Sequence, residues 1–153
     1  MSAYAKLLPL LALAACHSAT DVTPRLDVSL SLSPTTAVRG TVVDVAVTVI
    51  NRDARAALTA DARSYGCRAP YDVTDASGRT VELPGRICIL IAYPLIEVAP
   101  GASIVIRDQW ALDATDGAGG ARKVDIGPYR MRARVQGASR ELVSDPVTVT
   151  VIP

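Results

Sequence analysis

One stretch near the C-terminus constrains the fold more than any other. Tyr129, Met131, Ala133 and Val135 alternate with Arg130, Arg132 and Arg134. A β-strand sends successive side chains to opposite faces, so the pattern describes a strand with one buried and one wet face. The same period recurs upstream. Leu26, Val28, Leu30 and Leu32 alternate with Asp27, Ser29, Ser31 and Ser33, and Val43, Val45, Val47 and Val49 share one face of residues 41–50. Residues 56–59 begin a third strand. Residues 71–75 and 80–83 read as a hairpin around Gly78, residues 87–91 as a strand covered on both faces, and residues 103–112 as another. Residues 142–152 close the chain, broken at Asp145-Pro146. Residues 33–40 and 98–102 read as turns, and the polar, Gly-rich residues 113–125 as a long loop. No segment sustains a helical stripe. The expected fold is all-β: an immunoglobulin-like antiparallel β-sandwich of about seven to nine strands.

Within that fold, Asp125-Ile-Gly127-Pro-Tyr129 has the spacing of a tyrosine corner, in which a Tyr opening a late strand returns its hydroxyl to upstream backbone. Trp110, following an Ile-rich strand, is expected in the core. Aromatic residues make up only 4% of the chain and Phe is absent, so the core must be built from aliphatic rows.

The first residues carry a different signal. Lys6 precedes nine apolar residues, 7–15, ending in Leu13-Ala14-Ala15 before Cys16. A basic start, a short apolar run and small residues at its end mark an export leader. The run is far shorter than the roughly 20 residues of a membrane-spanning helix. Ala12-Leu13-Ala14 suits ordinary signal peptidase, whereas Leu13-Ala14-Ala15-Cys16 resembles the lipobox of bacterial lipoprotein precursors. Cysteine parity favours the second. Three cysteines leave one unpaired in an oxidising compartment; acylating Cys16, with palmitate-type chains, removes it and leaves Cys67 to pair with Cys88. Each buried methylene adds ~0.8 kcal/mol of membrane affinity, so several acyl chains hold such a protein firmly. A Cys67–Cys88 disulfide would add roughly 3 kcal/mol through loop-closure entropy. The expected organisation is a lipoprotein signal peptide at 1–15, an acylated tether at 16–24 and the sandwich at 25–153. His17 follows Cys16 where inner-membrane retention uses an aspartate, which favours the periplasmic side of the outer membrane.

Several function classes fall away. Without Lys6 the remaining fifteen basic residues balance fifteen acidic ones, which argues against a nucleic-acid partner. The only histidine, His17, sits on the tether and cannot be held rigidly against a nucleophile, so triad hydrolysis is not expected. No cluster of His, Cys or carboxylate ligands has zinc spacing, and Asp113, Asp116 and Asp125 lack the alternation of an EF-hand loop. No catalytic residue, metal or cofactor is expected, and the chain reads as a non-enzyme. Arg130, Arg132 and Arg134 form either a basic stripe or, more commonly, a solvated face whose stems cover apolar surface.

Gly66-Cys67, Tyr71-Asp72-Val73, Asp75-Ala-Ser-Gly78-Arg79, Pro100-Gly101, Trp110 and Gly127-Pro-Tyr129 occur in that order. With these landmarks, residues 51 to about 135 resemble the bacterial intracellular proteinase inhibitor (BsuPI-type) domain, an all-β, immunoglobulin-like module. The sequence departs from that family where its usual Pro-Gly-Thr-Tyr becomes Ile126-Gly-Pro-Tyr129. Val81-Glu82-Leu83 also stands where the family carries a Trp, and the leader and cysteine pair differ from an intracellular protein. The resemblance implies a protein-binding module that acts on a proteinase. Residues 68–87, bracketed by Cys67 and Cys88, are the candidate binding loop, with Arg68 or Arg86 as the specificity residue. The alternative expectation is a structural or accessory lipoprotein that docks onto a cell-envelope complex.

Overall fold

The computed structural model of the chain describes residues 26–53, 58–61, 69–84, 95–116, 118–137 and 140–153. Its strands are β1 Leu26–Ser33, β2 Thr36–Val38, β3 Val43–Asn51, β4 Leu58–Asp61, β5 Tyr71–Thr74 and β6 Leu95–Val98. They continue as β7 Ser103–Trp110, β8 Asp113–Thr115, β9 Ala121–Lys123, β10 Gly127–Gln136, β11 Glu141–Val143 and β12 Val147–Ile152. No helix occurs among the described residues. The eight strands of four residues or more fall within the expected range, and β2, β8, β9 and β11 are three-residue additions.

Two main sheets form an antiparallel β-sandwich. One has the order β1-β3-β7; the other runs β11-β10-β12-β2, with β5 also paired to β10. Burial follows the period of the sequence. Val43, Val45, Val47 and Val49 are at most 1% exposed, and so are Met131, Ala133, Val135, Val149 and Val151 from the opposing sheet. Trp110 and Tyr129 join this core edge to face, their rings 5.6 Å apart at 74°. An edge-to-face pair is favoured because the positive rim of one ring meets the negative face of the other.

The chain stitches the two sheets together at one side. β1 pairs with β3; after Pro34 the chain crosses over, and β2 lies parallel to β12 with Thr36 opposite Thr150. Residues 33–40 therefore contain a strand where the sequence suggested only a turn. β11 and β12 share one edge of β10, offset by an extra residue: Arg134 faces Val143, but Met131 faces Val147. This is a β-bulge at Ser144-Asp145-Pro146, where proline cannot donate to the ladder. Buried Ser144 repairs it. Its hydroxyl accepts the Ala133 N–H (2.9 Å) and donates to the Asp145 carbonyl (2.8 Å).

The other repair is at the end of β3. Asn51 is fully buried and its amide donates to the Val98 carbonyl (2.8 Å), while its side-chain oxygen accepts the Asp53 N–H (2.8 Å). Its own N–H donates to the Ala102 carbonyl (2.9 Å). One residue thus pins β3, the end of β6 and the 99–102 turn.

Candidate functional site

Strand register assigns the landmarks to two poles. Leu26 pairs with Asn51, so the chain enters the sandwich beside the Asn51 pin and the 99–102 turn. Ser33 ends β1 at the opposite pole. There β2 follows almost at once, Val151 faces Gly127, and Thr74 faces Arg130. The turn after β5 and the segment after β7 therefore project from the pole opposite the chain's entry.

The first feature of that pole is the turn at residues 75–79. Asp75 organises it. One carboxylate oxygen accepts the Ser77 hydroxyl (2.6 Å), the Ser77 N–H (2.9 Å) and the Arg79 N–H (3.0 Å); the other accepts Arg79 Nε (2.9 Å). These donors, the Ser77 hydroxyl foremost, hold the carboxyl at about pKa 2 against an ordinary 3.8. Gly78 takes φ +82°, which a side-chain-bearing residue adopts only under strain. The expected hairpin is present, but its second arm forms no strand: it keeps a bridge between Thr74 and Thr80, the Asp75 N–H to Arg79 carbonyl bond and the Val81 N–H to Val73 carbonyl bond.

The second feature is a hairpin where the sequence suggested an open loop. β8 and β9 pair from Asp113 opposite Lys123 to Thr115 opposite Ala121. Lys123 closes an ion pair with Asp113 at 2.8 Å, and Asp116 caps the Ala118 and Gly120 N–H groups. The carboxylates of Asp113 and Asp116 thus serve the hairpin itself, and no cluster of three metal-ligating groups occurs among the described residues.

The tyrosine corner lies beneath these two. Tyr129 donates its hydroxyl to the Asp125 carbonyl at 2.9 Å, with Gly127 between them at φ +142°. Burial, then the Asp125 carboxylate, raises the phenol pKa above its ordinary value. Asp75, Glu82, Asp116, Arg122, Asp125 and Tyr129 line a cleft of about 420 Å³ between the turn and the hairpin. Its size is that of a ligand site, but its lining is charged where such sites are mostly apolar.

Large apolar residues are also exposed at this pole: Ile126 (56%), Val38 (47%), Val42 (44%) and Ile152 (38%). Among the described residues only Val105 and Val143 complete the set, on an edge strand and at the opposite pole.

The arginine stripe divides. Arg134 is held by Asp72 and by Glu141 (2.7 Å), and the Asp72 hydrogen bond first, then Glu141, raises its pKa. Arg130 and Arg132 are exposed on the same face and make no ion pair among the described residues.

Cys16, Cys67, Arg68, Arg86 and Cys88 lie outside the described residues. Of the segment they bracket, residues 69–84 are described. Tyr71 and Val73 are core residues of a strand paired to β10, and the 75–79 turn is the part that projects.

No known protein family matches the chain, and no curated protein matches it. Solved structures are similar at low identity. A β-glucosidase from Listeria innocua, in complex with laminaribiose, is 17% identical with a TM-score of 0.48; the match covers 86% of this chain and 16% of that one. An alkylpurine DNA glycosylase from Pseudomonas fluorescens is 16% identical with a TM-score of 0.48, over 84% of this chain and 30% of that one. The CARDB domain of a Pyrococcus furiosus protein is 14% identical with a TM-score of 0.45, over 84% and 89%. The chain spans 16% of the β-glucosidase.

Proposed function

We propose that this chain is a non-enzymatic binding module, held at a bacterial membrane by lipid on Cys16, that offers the pole opposite its tether to a protein of the cell envelope. The observation that carries the reading is the polarity of the sandwich. The chain enters at Leu26, and the charged cleft, the pinned 75–79 turn and four of the exposed apolar residues gather at the other end. A charged cleft rimmed by apolar side chains is the composition of a protein-binding surface.

Two partner classes follow. The resemblance to proteinase inhibitors implies a proteinase, and the turn supports it: an inhibitor must present a rigid loop, and Asp75 removes the conformational freedom that binding would otherwise have to remove. The exposed Ile126, Val38, Val42 and Ile152 favour the second class, a structural or accessory role on an envelope complex.

A photo-crosslinking residue at Ile126, used in native membranes, tests the reading. The expected product is one stoichiometric protein adduct, absent when the same residue replaces Arg52 at the entry pole. A proteinase in that adduct, with inhibition by the purified protein, selects the first class; an envelope component without inhibition selects the second. Equal labelling from both poles, or mass spectrometry showing an unmodified thiol at Cys16, would refute the proposal.

A further inference from the structure

Among the described residues the three-stranded sheet ends in an unpaired edge, and the ladder fixes which backbone groups lie on it. The Asn51 N–H donates to the Ala102 carbonyl, so the odd-numbered residues of β3 aim their backbone groups at β7, and the even-numbered residues of β7 answer them. The N–H and C=O of Ser103, Val105, Arg107 and Gln109 therefore point away from β3. Among the described residues no strand pairs with them. The far edge of this sheet, β1, differs in its exposed face, which carries Asp27, Ser29, Ser31 and Ser33 and no exposed large apolar residue. Val105, 44% exposed, stands at the middle of the open edge. Edges of this length are blunted or paired in soluble proteins.

We infer that β7 pairs antiparallel with β7 of a second copy of this chain, about a two-fold axis at Val105, joining two three-stranded sheets into one. The register follows from the side chains. Centred on Val105, the pairing sets Val105 beside its mate and Ser103 beside Arg107 on the outer face, with Ile104 beside Ile106 on the inner one. Centring on Ile106 would press Ile104 against the Asp108 carboxylate. Centring on Arg107 would place two guanidinium groups at the axis, and centring on Ile104 would set exposed Val105 beside Ser103. The Val105 register alone joins apolar to apolar on both faces, and it forms about six new backbone hydrogen bonds. A two-fold contact needs a self-complementary surface, and this edge has one.

Native mass spectrometry of the full chain, released from mild detergent across a micromolar concentration series, tests the pairing. The wild-type chain is expected to be a dimer. Val105→Glu puts two carboxylates at the axis and Val105→Lys two ammonium groups, and either should lower the dimer signal by at least about tenfold. Mixing the two variants should restore a dimer, recognised as mixed by its mass. Val143→Glu, the same exchange on an exposed valine far from this edge, should leave dimerisation unchanged. A wild-type chain that stays monomeric throughout the series would overturn the inference, as would a Val105→Glu chain that still dimerises. The wild-type series decides by itself if a variant fails to fold.

Discussion

Replacing Asn51 by alanine should unfasten the pole at which the chain enters the sandwich. The substitution keeps the backbone bond to Ala102 and deletes the side-chain bonds to the Val98 carbonyl and from the Asp53 N–H. Val98 is 1% exposed, so its carbonyl loses a donor where water cannot replace it, at a cost of about 1–3 kcal/mol. Asp53 is only half-buried and its N–H can turn to water, which adds roughly 0.5–1.5 kcal/mol. The sum, about 1.5–4.5 kcal/mol, is a large part of the 5–15 kcal/mol by which domains are ordinarily stable. Equilibrium urea unfolding, followed through the single Trp110, measures it as a lower midpoint at unchanged slope. Asn51→Asp at neutral pH should be worse than alanine, because it aims a carboxylate at the Val98 carbonyl. An alanine variant within about 0.5 kcal/mol of wild type, the ordinary range for a surface substitution, would refute the reasoning.

The other polar pins give separate tests. Ser144→Ala removes the acceptor for the buried Ala133 N–H at the bulge and should cost about 1–3 kcal/mol in the same unfolding assay. Tyr129→Phe keeps the ring against Trp110 and loses only the bond to the Asp125 carbonyl, so it should cost about 1 kcal/mol with the Trp110 emission maximum unchanged. Asp75 sets a pH dependence. Its pKa is depressed in the folded chain, so its stabilisation is complete above 3.8 and disappears as pH falls toward 2. Carboxylate titration by NMR should place Asp75 near 2, and Asp75→Asn should flatten the loss of stability in that window.

The long strands were legible because burial of one face is recorded in every second residue. β1, β3 and β10 show the alternation in sequence and the same alternation in burial. The tyrosine corner was legible for a related reason: Asp125, Gly127 and Tyr129 are close in sequence, so the spacing alone encodes the bond. Three-residue strands have no room to display a period. β9 is exposed at every position and is held by backbone pairing, so Gly119-Gly120 and the charges around them read as a loop. β2 is hidden behind Pro34 in the same way. The role of Asn51 was not legible because its carbonyl partner lies on Val98, a contact that only tertiary folding creates. The grouping at the pole opposite the entry was invisible for the same reason. Its parts come from residues 38–42, 75–82 and 113–126, and only strand register gathers them.

That register also explains where the chain spends its buried polar groups. A core made of valine rows, with Trp110 and Tyr129 as its main aromatic contact, packs well in its middle but has little bulk to cover its ends. Bare strand ends would leave backbone groups without partners in a low-dielectric interior, which is costly. Asn51 satisfies those groups at the entry pole and Tyr129 at the opposite one, while Ser144 does so at the bulge between them. The 75–79 turn can then project from a foundation that does not move with it. β10 alone, ten residues at about 3.3 Å each, separates the two poles by roughly 30 Å. Under the function proposed above, such a body would act as a rigid spacer, and the length of the strands would set how far from the membrane a partner meets the cleft.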